Sequence, residues 1–410
     1  MDASAATAHR EALPSLTGLR FWAALLVVFY HLSREYHRLP LLSPLVWYGR
    51  DGVTFFFVLS GFVLAWSYGA WSAGPWSSSG AGVPSRVFYW RRFARIWPLH
   101  LLTTGFALAV TLLLGAALPL TATLWSLPLL QAWSPAQVYG GNPAAWSLSA
   151  EAWFYLLTPA LLRFLGRRGD RALGLLAVGA CAAGAAIWLG GAFVGPPALR
   201  EWLLDYLPPA RTPQFLLGAV TAVAVRRGWR PPVSLGAATA LVLGWHLALP
   251  LWSAAVPERL WYSPYSGSQA LVSPLFALLV AAAAVRDRQR GGGLLAGRPM
   301  RRLGHWSFGW YLVHQTCLRL ALLLCGAPRG VCAAAAGWLL VGAASLALAG
   351  ALYQWVERPL ERWLRAHGPR PPKPGGPDPV VPRARPAAVP AESDQVCWSR
   401  STAEKTTPIW

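Results

Sequence analysis

Ten stretches of about 20 mostly apolar residues recur along the chain, and each is long enough to cross a membrane as an α-helix. In lipid, every backbone polar group must find a partner within the protein, and an α-helix provides one. To within several residues, the stretches lie at 17–34, 51–69, 96–118, 145–165, 171–193, 205–225, 232–252, 268–286, 304–325 and 331–356. We therefore predict an all-α fold, a polytopic transmembrane bundle of about ten helices.

The arginine residues lie mainly between these stretches. The chain is 55% hydrophobic and 13% charged, with a formal net charge of +20. When the N-terminus is placed in the cytoplasm, the loops that fall inside carry most of the arginines, as the positive-inside rule requires. We therefore predict a multi-pass protein of the plasma membrane with both termini in the cytoplasm. Its partner is the lipid bilayer, and its basic charge does not indicate nucleic acid binding.

Composition divides the chain into three regions. Residues 1–15 are predicted to be an N-terminal cytoplasmic segment, residues 16–364 the transmembrane domain, and residues 365–410 a disordered cytoplasmic tail rich in Pro, Gly, Arg and Ser. The uncharged segment 119–144 is predicted to be a re-entrant or interfacial element on the outer surface. The cysteines form no CxxC pair and no Cys/His cluster, so no metal site is predicted.

Helix one carries two polar residues, Arg20 and His31, within an apolar sequence. Such groups are costly in a membrane and usually functional, although His31 could instead serve as helix-packing glue. Their separation corresponds to about three full turns, so both side chains face the same side of the helix, roughly 16 Å apart along its axis. We predict that they line one cavity without touching, Arg20 near the cytoplasmic end and His31 near the outer end.

Two arginines, Arg92 and Arg95, lie one turn apart at the cytoplasmic start of helix three. Residues at this spacing share a helix face. Guanidinium groups bind phosphate in bidentate fashion, so the pair suits a phosphate ligand. The alternative is a plain cluster of cytoplasmic arginines that sets topology.

Glu151 lies inside helix four, several residues from its outer end. A carboxylate at that depth needs a partner. By depth, one candidate is His31, whose tautomer a bonded carboxylate would fix. The alternative is an ion pair with Arg50 or Arg211.

Two further segments carry small or polar residues at notable positions. In GVTFFFVLSGFVL, Gly52, Ser60 and Gly61 permit close contact between helices, and Ser60 could bond to a neighbouring backbone. His314 lies near the middle of helix nine. Glu357, at the cytoplasmic edge after helix ten, is typical of a structural ion pair.

Together these segments resemble the acyltransferase-3 family of membrane O-acyltransferases, from about residue 14 to residue 363. The resemblance rests on an ordered set of motifs, each of which is weak alone. They are the Arg–x10–His of helix one (Arg20, His31), G-x-x-x-F-F-x-x-S-G (Gly52, Phe56, Phe57, Ser60, Gly61), R-x-x-R (Arg92, Arg95), W-S-L-S-x-E (Trp146 to Glu151), Y-L-x-H (Tyr311, His314) and E-x-P (Glu357, Pro359).

Three departures from the family pattern bear on the acceptor more than on the reaction. Thr54 stands where an Asp is frequent before the Phe pair, and Ala152 replaces the second Glu of a common pair. The opening reads L-T-G-L-R-F rather than L-D-G-L-R. That opening is similar to the branch that includes actinobacterial macrolide O-acyltransferases.

The resemblance implies transfer of an acetyl or short acyl group to a hydroxyl of a glycan or of a secondary metabolite such as a macrolide. The donor is acyl-CoA, which acts as a co-substrate, and no bound cofactor is implied. Arg20, His31, Arg92 and Arg95 are implied to be essential. We expect Arg92 and Arg95, helped by Arg20, to hold the phosphates of acyl-CoA at the cytoplasmic face, with the thioester arm directed toward His31.

In the mechanism that follows, His31 acts as general base on the acceptor hydroxyl. Glu151 orients His31, and Ser60, Ser149 or His314 stabilises the oxyanion. A relay through an acylated His31 is a second route.

The main rival function is a multi-helix transporter or exporter that uses an intramembrane His/Glu/Arg relay. Transporters often contain two related halves with paired broken helices. The sequence shows no such internal symmetry, which favours the enzyme. No sequence feature indicates an oligomeric state.

Overall fold

The computed structural model describes residues 13–40, 42–69, 84–255, 267–291 and 293–370. Within these residues ten helices of at least 15 residues follow one another, and no strand occurs. They are α1 (Pro14–His31), α2 (Asp51–Tyr68), α3 (Ser85–Leu113), α4 (Trp146–Gly166), α5 (Asp170–Gly191), α6 (Thr212–Arg226), α7 (Leu235–Ala255), α8 (Ser268–Arg290), α9 (Arg298–Cys325) and α10 (Val331–Leu352). Each coincides with one of the predicted stretches, so the all-helical polytopic bundle is confirmed.

Seven of the described helices are long and apolar enough to cross a membrane. They are α1, α2, α3, α5, α8, α9 and α10, and α7 contributes a shorter apolar helix over Leu235–Leu249. Leucines on α5 and α10, such as Leu175 and Leu339, are largely exposed, as expected of side chains that contact lipid. The chain is therefore a multi-pass membrane protein. The cytoplasmic placement of both termini stays a prediction.

The regions outside the bundle are only partly described. Residues 1–12 of the predicted N-terminal segment and residues 371–410 of the predicted tail lie outside the described residues. Segment 119–144 contains a short helix, Leu120–Ser126, and a 3-10 turn, Gln131–Trp133. A second 3-10 turn, Pro143–Ala145, lies at the end of the segment. None of these is long enough to span a membrane. The placement of this segment on the outer surface stays a prediction.

Glycines bring the central helices into close contact. α2 packs along α6, where a Cβ on Gly61 would overlap the carbonyl oxygen of Phe215, and one on Gly218 would overlap that of Val58. Gly52 likewise lies against the backbone of α1 at Ala23. The predicted role of Gly52 and Gly61 in close helix contact is therefore confirmed.

Gly218→Ala is expected to destabilise the protein by about 1–3 kcal/mol, because the added methyl group meets backbone of α2 that cannot rotate away. Gly179→Ala on α5 is the matched control, since open space surrounds that position. A helical Gly→Ala change without a clash gains about 0.5–1 kcal/mol. Thermal unfolding in detergent compares the two variants, and equal melting temperatures would contradict the packing argument.

One end of the bundle, which is predicted to be cytoplasmic, is closed by a short helix, α11 (Arg358–Ala366), which follows α10 after a π-helical turn at Tyr353–Glu357. α11 packs on α3. The indole Nε1 of Trp90 donates a hydrogen bond to the carbonyl oxygen of Leu364 at 2.7 Å. This arrangement brings the carboxylates of Glu357 and Glu361 to the start of α3.

Candidate active site

A cavity of about 440 Å³ lies between α1, α2, α3, α4 and α9. Apolar side chains form most of its wall. The polar side chains on the wall come from five different helices and include five of the eight predicted site residues. These five are Arg20, Ser60, Arg92, Arg95 and Glu151. Their convergence follows from the cost of polar groups in lipid, which directs each of them toward the interior of the bundle.

Arg20 faces this cavity with unused hydrogen-bonding capacity. Its Nε is buried and has no hydrogen-bond partner within the described residues. The carboxylates of Glu357 and Glu151 act on it electrostatically, and the guanidinium forms no ion pair with a described residue. A buried guanidinium without a bonded partner is unfavourable unless a ligand supplies the acceptor atoms.

Arg92 and Arg95 differ in their surroundings, although both line the cavity. Arg92 lies over the rings of Tyr68, Phe88 and Tyr155, and its hydrogen bond to the Tyr68 hydroxyl is long, at 3.4 Å. Its Nε is also buried without a partner among the described residues. Arg92 therefore retains donors for an anionic ligand.

Arg95, in contrast, is held by two carboxylates. It donates to Glu357 and, at 3.2 Å, to Glu361. Glu357 is 2% exposed, so this is a buried ion pair. The structural ion pair predicted for Glu357 is confirmed. It uses the guanidinium of Arg95, which was expected to bind phosphate together with Arg92.

Glu151 is bonded within the cavity wall rather than to a histidine. The hydroxyl of Ser60 donates to its Oε1 at 2.6 Å, and Tyr155 forms a second side-chain hydrogen bond. The predicted partnership with His31 is therefore wrong. Depth along a helix could not reveal this, because Ser60 and Tyr155 approach at the same level from α2 and from the next turn of α4.

The alternative arginine partners of Glu151 are also wrong. Arg50 pairs with Asp205 at 3.2 Å, and Arg211 donates to Thr54 at 2.9 Å and to Gln269. Each arginine thus has its own polar partners elsewhere in the bundle.

His31 lies beyond the end of the cavity opposite α11 and is not among the residues that line it. Tyr311 does line the cavity, and its ring centroid is 5.8 Å from that of His314, which in turn contacts His31. The ring of Phe56 lies beside Tyr311, with centroids 6.3 Å apart. Arg20 and His31 were predicted to line one cavity. This prediction is wrong, because His31 does not line the cavity that holds Arg20 and these rings lie between the two residues.

Two backbone carbonyls fix the protonation pattern of the histidine pair. Nδ1 of His31 lies 2.9 Å from the carbonyl oxygen of Val27, and Nδ1 of His314 lies 2.6 Å from that of Tyr311. Because a carbonyl oxygen only accepts, each neutral ring carries its proton on Nδ1. The one Nδ1 proton of His31 is then shared between the Val27 carbonyl and Nε2 of His314, which lies 3.1 Å from Nδ1. This assignment leaves the lone pair of His31 on Nε2.

The side chain of His31 is 18% exposed, and a carboxylate approaches its free nitrogen. Oε1 of Glu35 lies 3.9 Å from Nε2 and accepts a hydrogen bond from the Gln315 amide at 3.0 Å. Sequence reasoning missed Glu35 because the first helix was predicted to end at residue 34. The i, i+4 spacing from His31 was the available signal, since α1 continues through a π-helical turn to Tyr36.

The three predicted oxyanion donors occupy different places. Ser149 is fully buried and donates to Gln131 at 2.9 Å, so it faces the outer segment and not the cavity. His314 carries its proton toward the Tyr311 carbonyl and has an accepting Nε2. Ser60 is the one of the three that lines the cavity.

Comparison with known proteins identifies the family of this chain. Residues 13–354 match a family described as an acyltransferase domain, a range that contains the cavity and both histidines. The chain is 33% identical over 405 residues to acyltransferase MdmB of Streptomyces mycarofaciens, with 91% of this chain and 97% of that protein covered. No solved structure gives a significant match. The resemblance drawn from the motifs is thus confirmed, and the chain belongs to the acyltransferase-3 family of membrane O-acyltransferases.

Proposed function

We propose that this protein transfers an acetyl or short acyl group from acyl-CoA to a hydroxyl of a glycan or of a macrolide-like secondary metabolite. The observation that carries the proposal is that α1 holds both Arg20 and His31 on the side that faces α9. Arg20 presents unpartnered donors to a cavity, and His31 presents an unprotonated nitrogen beyond it. The first suits the phosphates of the donor, and the second suits a general base.

The donor would enter from the cytoplasmic end. Arg20 and Arg92 bind its phosphates, because both retain buried donors without partners. Arg95 contributes charge to this end while its hydrogen bonds stay with Glu357 and Glu361. The apolar wall of the cavity accommodates the flexible arm of the donor, which must pass the rings of Phe56 and Tyr311 to bring the thioester to His31. Side-chain rotation of these two rings provides that passage.

The chemical step proceeds at Nε2 of His31. This nitrogen takes the proton of the acceptor hydroxyl as its oxygen bonds to the thioester carbonyl carbon. Collapse of the tetrahedral intermediate breaks the carbon–sulfur bond, and the imidazolium returns the proton to the sulfur, which leaves as the CoA thiol. A relay in which Nε2 itself is acylated first remains the second route.

Glu151 has a role different from orienting His31. Its carboxylate opposes the positive charges of Arg20 and Arg92, which act on it electrostatically. It also holds the Ser60 hydroxyl at the cavity wall.

The proposal is tested by comparing a strain that lacks the protein with one that expresses it. Mass spectrometry of surface glycans and of lipophilic metabolites is expected to reveal a product lighter by one acyl group in the deletion strain. Membranes that contain the protein are then expected to release CoA from acetyl-CoA when the unacylated compound is added. Accumulation of an unchanged compound inside the cells, without release of CoA, would identify a transporter instead.

A further inference from the structure

Glu35 is the carboxylate that approaches the reactive nitrogen of His31. It belongs to the π-helical turn Leu32–Tyr36, which widens the end of α1 by one residue per turn. This turn carries Glu35 to 3.9 Å from Nε2, close enough for an ion pair once the ring is protonated, whereas Nε2 of the neutral ring has no proton to donate to the carboxylate. Nε2 thus stays available to an acceptor hydroxyl.

The position of Glu35 is set by α9. The amide of Gln315, which is 8% exposed, donates to Oε1 of Glu35 at 3.0 Å. The preceding residue, His314, accepts from Nδ1 of His31 at 3.1 Å. His314 therefore fixes the orientation of the His31 ring. Gln315, the next residue of α9, fixes the location of the Glu35 carboxylate.

The surrounding charges make this carboxylate important during the reaction. The guanidinium groups of Arg34 and Arg50 act electrostatically on His31 and would repel a positive charge on its ring. A general base becomes a cation when it accepts the proton of the acceptor. A carboxylate at 3.9 Å compensates that cation, and the Glu35 side chain is 32% exposed, so water screens part of the attraction.

We propose that Glu35 is a positioning residue that stabilises the protonated form of His31 during acyl transfer, and that Gln315 holds Glu35 in place for this role. The proposal rests on the proposed function, since it requires His31 to accept a proton. It requires Glu35 to act through His31 without contacting the donor.

Glu35→Gln tests the charge with little change in shape. With acetyl-CoA and the acceptor identified by mass spectrometry, kcat is expected to fall about tenfold to a hundredfold, because the ion pair of the imidazolium is lost. KM for both substrates is expected to stay within a factor of about two. Glu35→Asp, which keeps the charge, is expected to recover part of kcat, and Gln315→Leu to reduce kcat by a smaller factor.

Asp170→Asn is the matched control, because it removes a carboxylate that is 83% exposed at the start of α5. Its kcat is expected to equal that of the wild type. An unchanged kcat in Glu35→Gln, while His31→Ala is inactive, would refute the role of Glu35 and leave the general base intact. A rise in acceptor KM with constant kcat would refute it too, since Glu35 would then bind the acceptor. Activity in His31→Ala would instead overturn the proposed function itself.

Discussion

His31→Ala is expected to reduce acyl transfer by about a hundredfold to ten-thousandfold, the contribution typical of a general base. The variant removes Nε2 of His31, the proposed base. This nitrogen carries the lone pair because the Val27 carbonyl and His314 keep the ring proton on Nδ1. No other described imidazole approaches this place with an unprotonated nitrogen, because Nε2 of His314 is already used as an acceptor. Acylated product formed in the deletion strain measures the effect.

His100→Gln is the matched control for His31. His100 is fully buried in α3, bonds to the carbonyl oxygen of Ser126 at 2.9 Å and does not line the cavity. A glutamine amide can donate to the same oxygen, so transfer is expected to continue. Near-normal turnover in His31→Ala, at equal amounts of inserted protein, would exclude His31 as the base.

Rapid quenching of the wild-type protein separates the two routes through His31. In direct transfer, rapid quenching with acetyl-CoA and no acceptor leaves the peptide that contains His31 unmodified. In the relay, that peptide gains the mass of one acyl group. We expect the unmodified peptide, because Nδ1 keeps its proton for the Val27 carbonyl, so acylation of Nε2 would give a reactive acyl-imidazolium cation rather than a stable neutral acyl-imidazole.

The sequence predicted the helices well because their length and apolarity are imposed by the membrane. It also predicted that Arg20 and Glu151 face other protein groups, since a polar group in an apolar helix is stable only there, and both residues line the cavity. Each of these inferences needs only the cost of exposing polarity to lipid. Neither depends on which helices are neighbours.

Partner identity could not be predicted, because it depends on how distant helices meet. Arg92 and Arg95 share a helix face, yet Glu357 reaches only Arg95, from a position 262 residues along the chain. Glu151 was placed by depth near His31, but α2 supplies Ser60 at a shorter distance. Helical periodicity fixes the direction of a side chain, whereas tertiary packing decides which of several polar groups it meets.

Arg20→Gln is expected to weaken the binding of CoA to the purified protein about tenfold to a hundredfold, the loss of one or two charge-assisted hydrogen bonds. The protein itself is expected to keep its melting temperature, because the Nε of Arg20 has no partner among the described residues to lose. Calorimetric titration with CoA, which needs no acceptor, measures the affinity. Arg92→Gln is expected to act in the same direction.

Arg95→Gln is expected to behave differently, because it leaves the carboxylate of Glu357 buried without its cation. Removing one partner of a buried ion pair costs about 3–5 kcal/mol, so the melting temperature should fall sharply. The double variant Arg95→Gln with Glu357→Gln replaces both charges and is expected to recover much of that stability while CoA still binds at Arg20. Equal losses of CoA affinity in Arg20→Gln and in this double variant would show that Arg95 binds phosphate directly, and that the ion pair seen here opens when the donor enters.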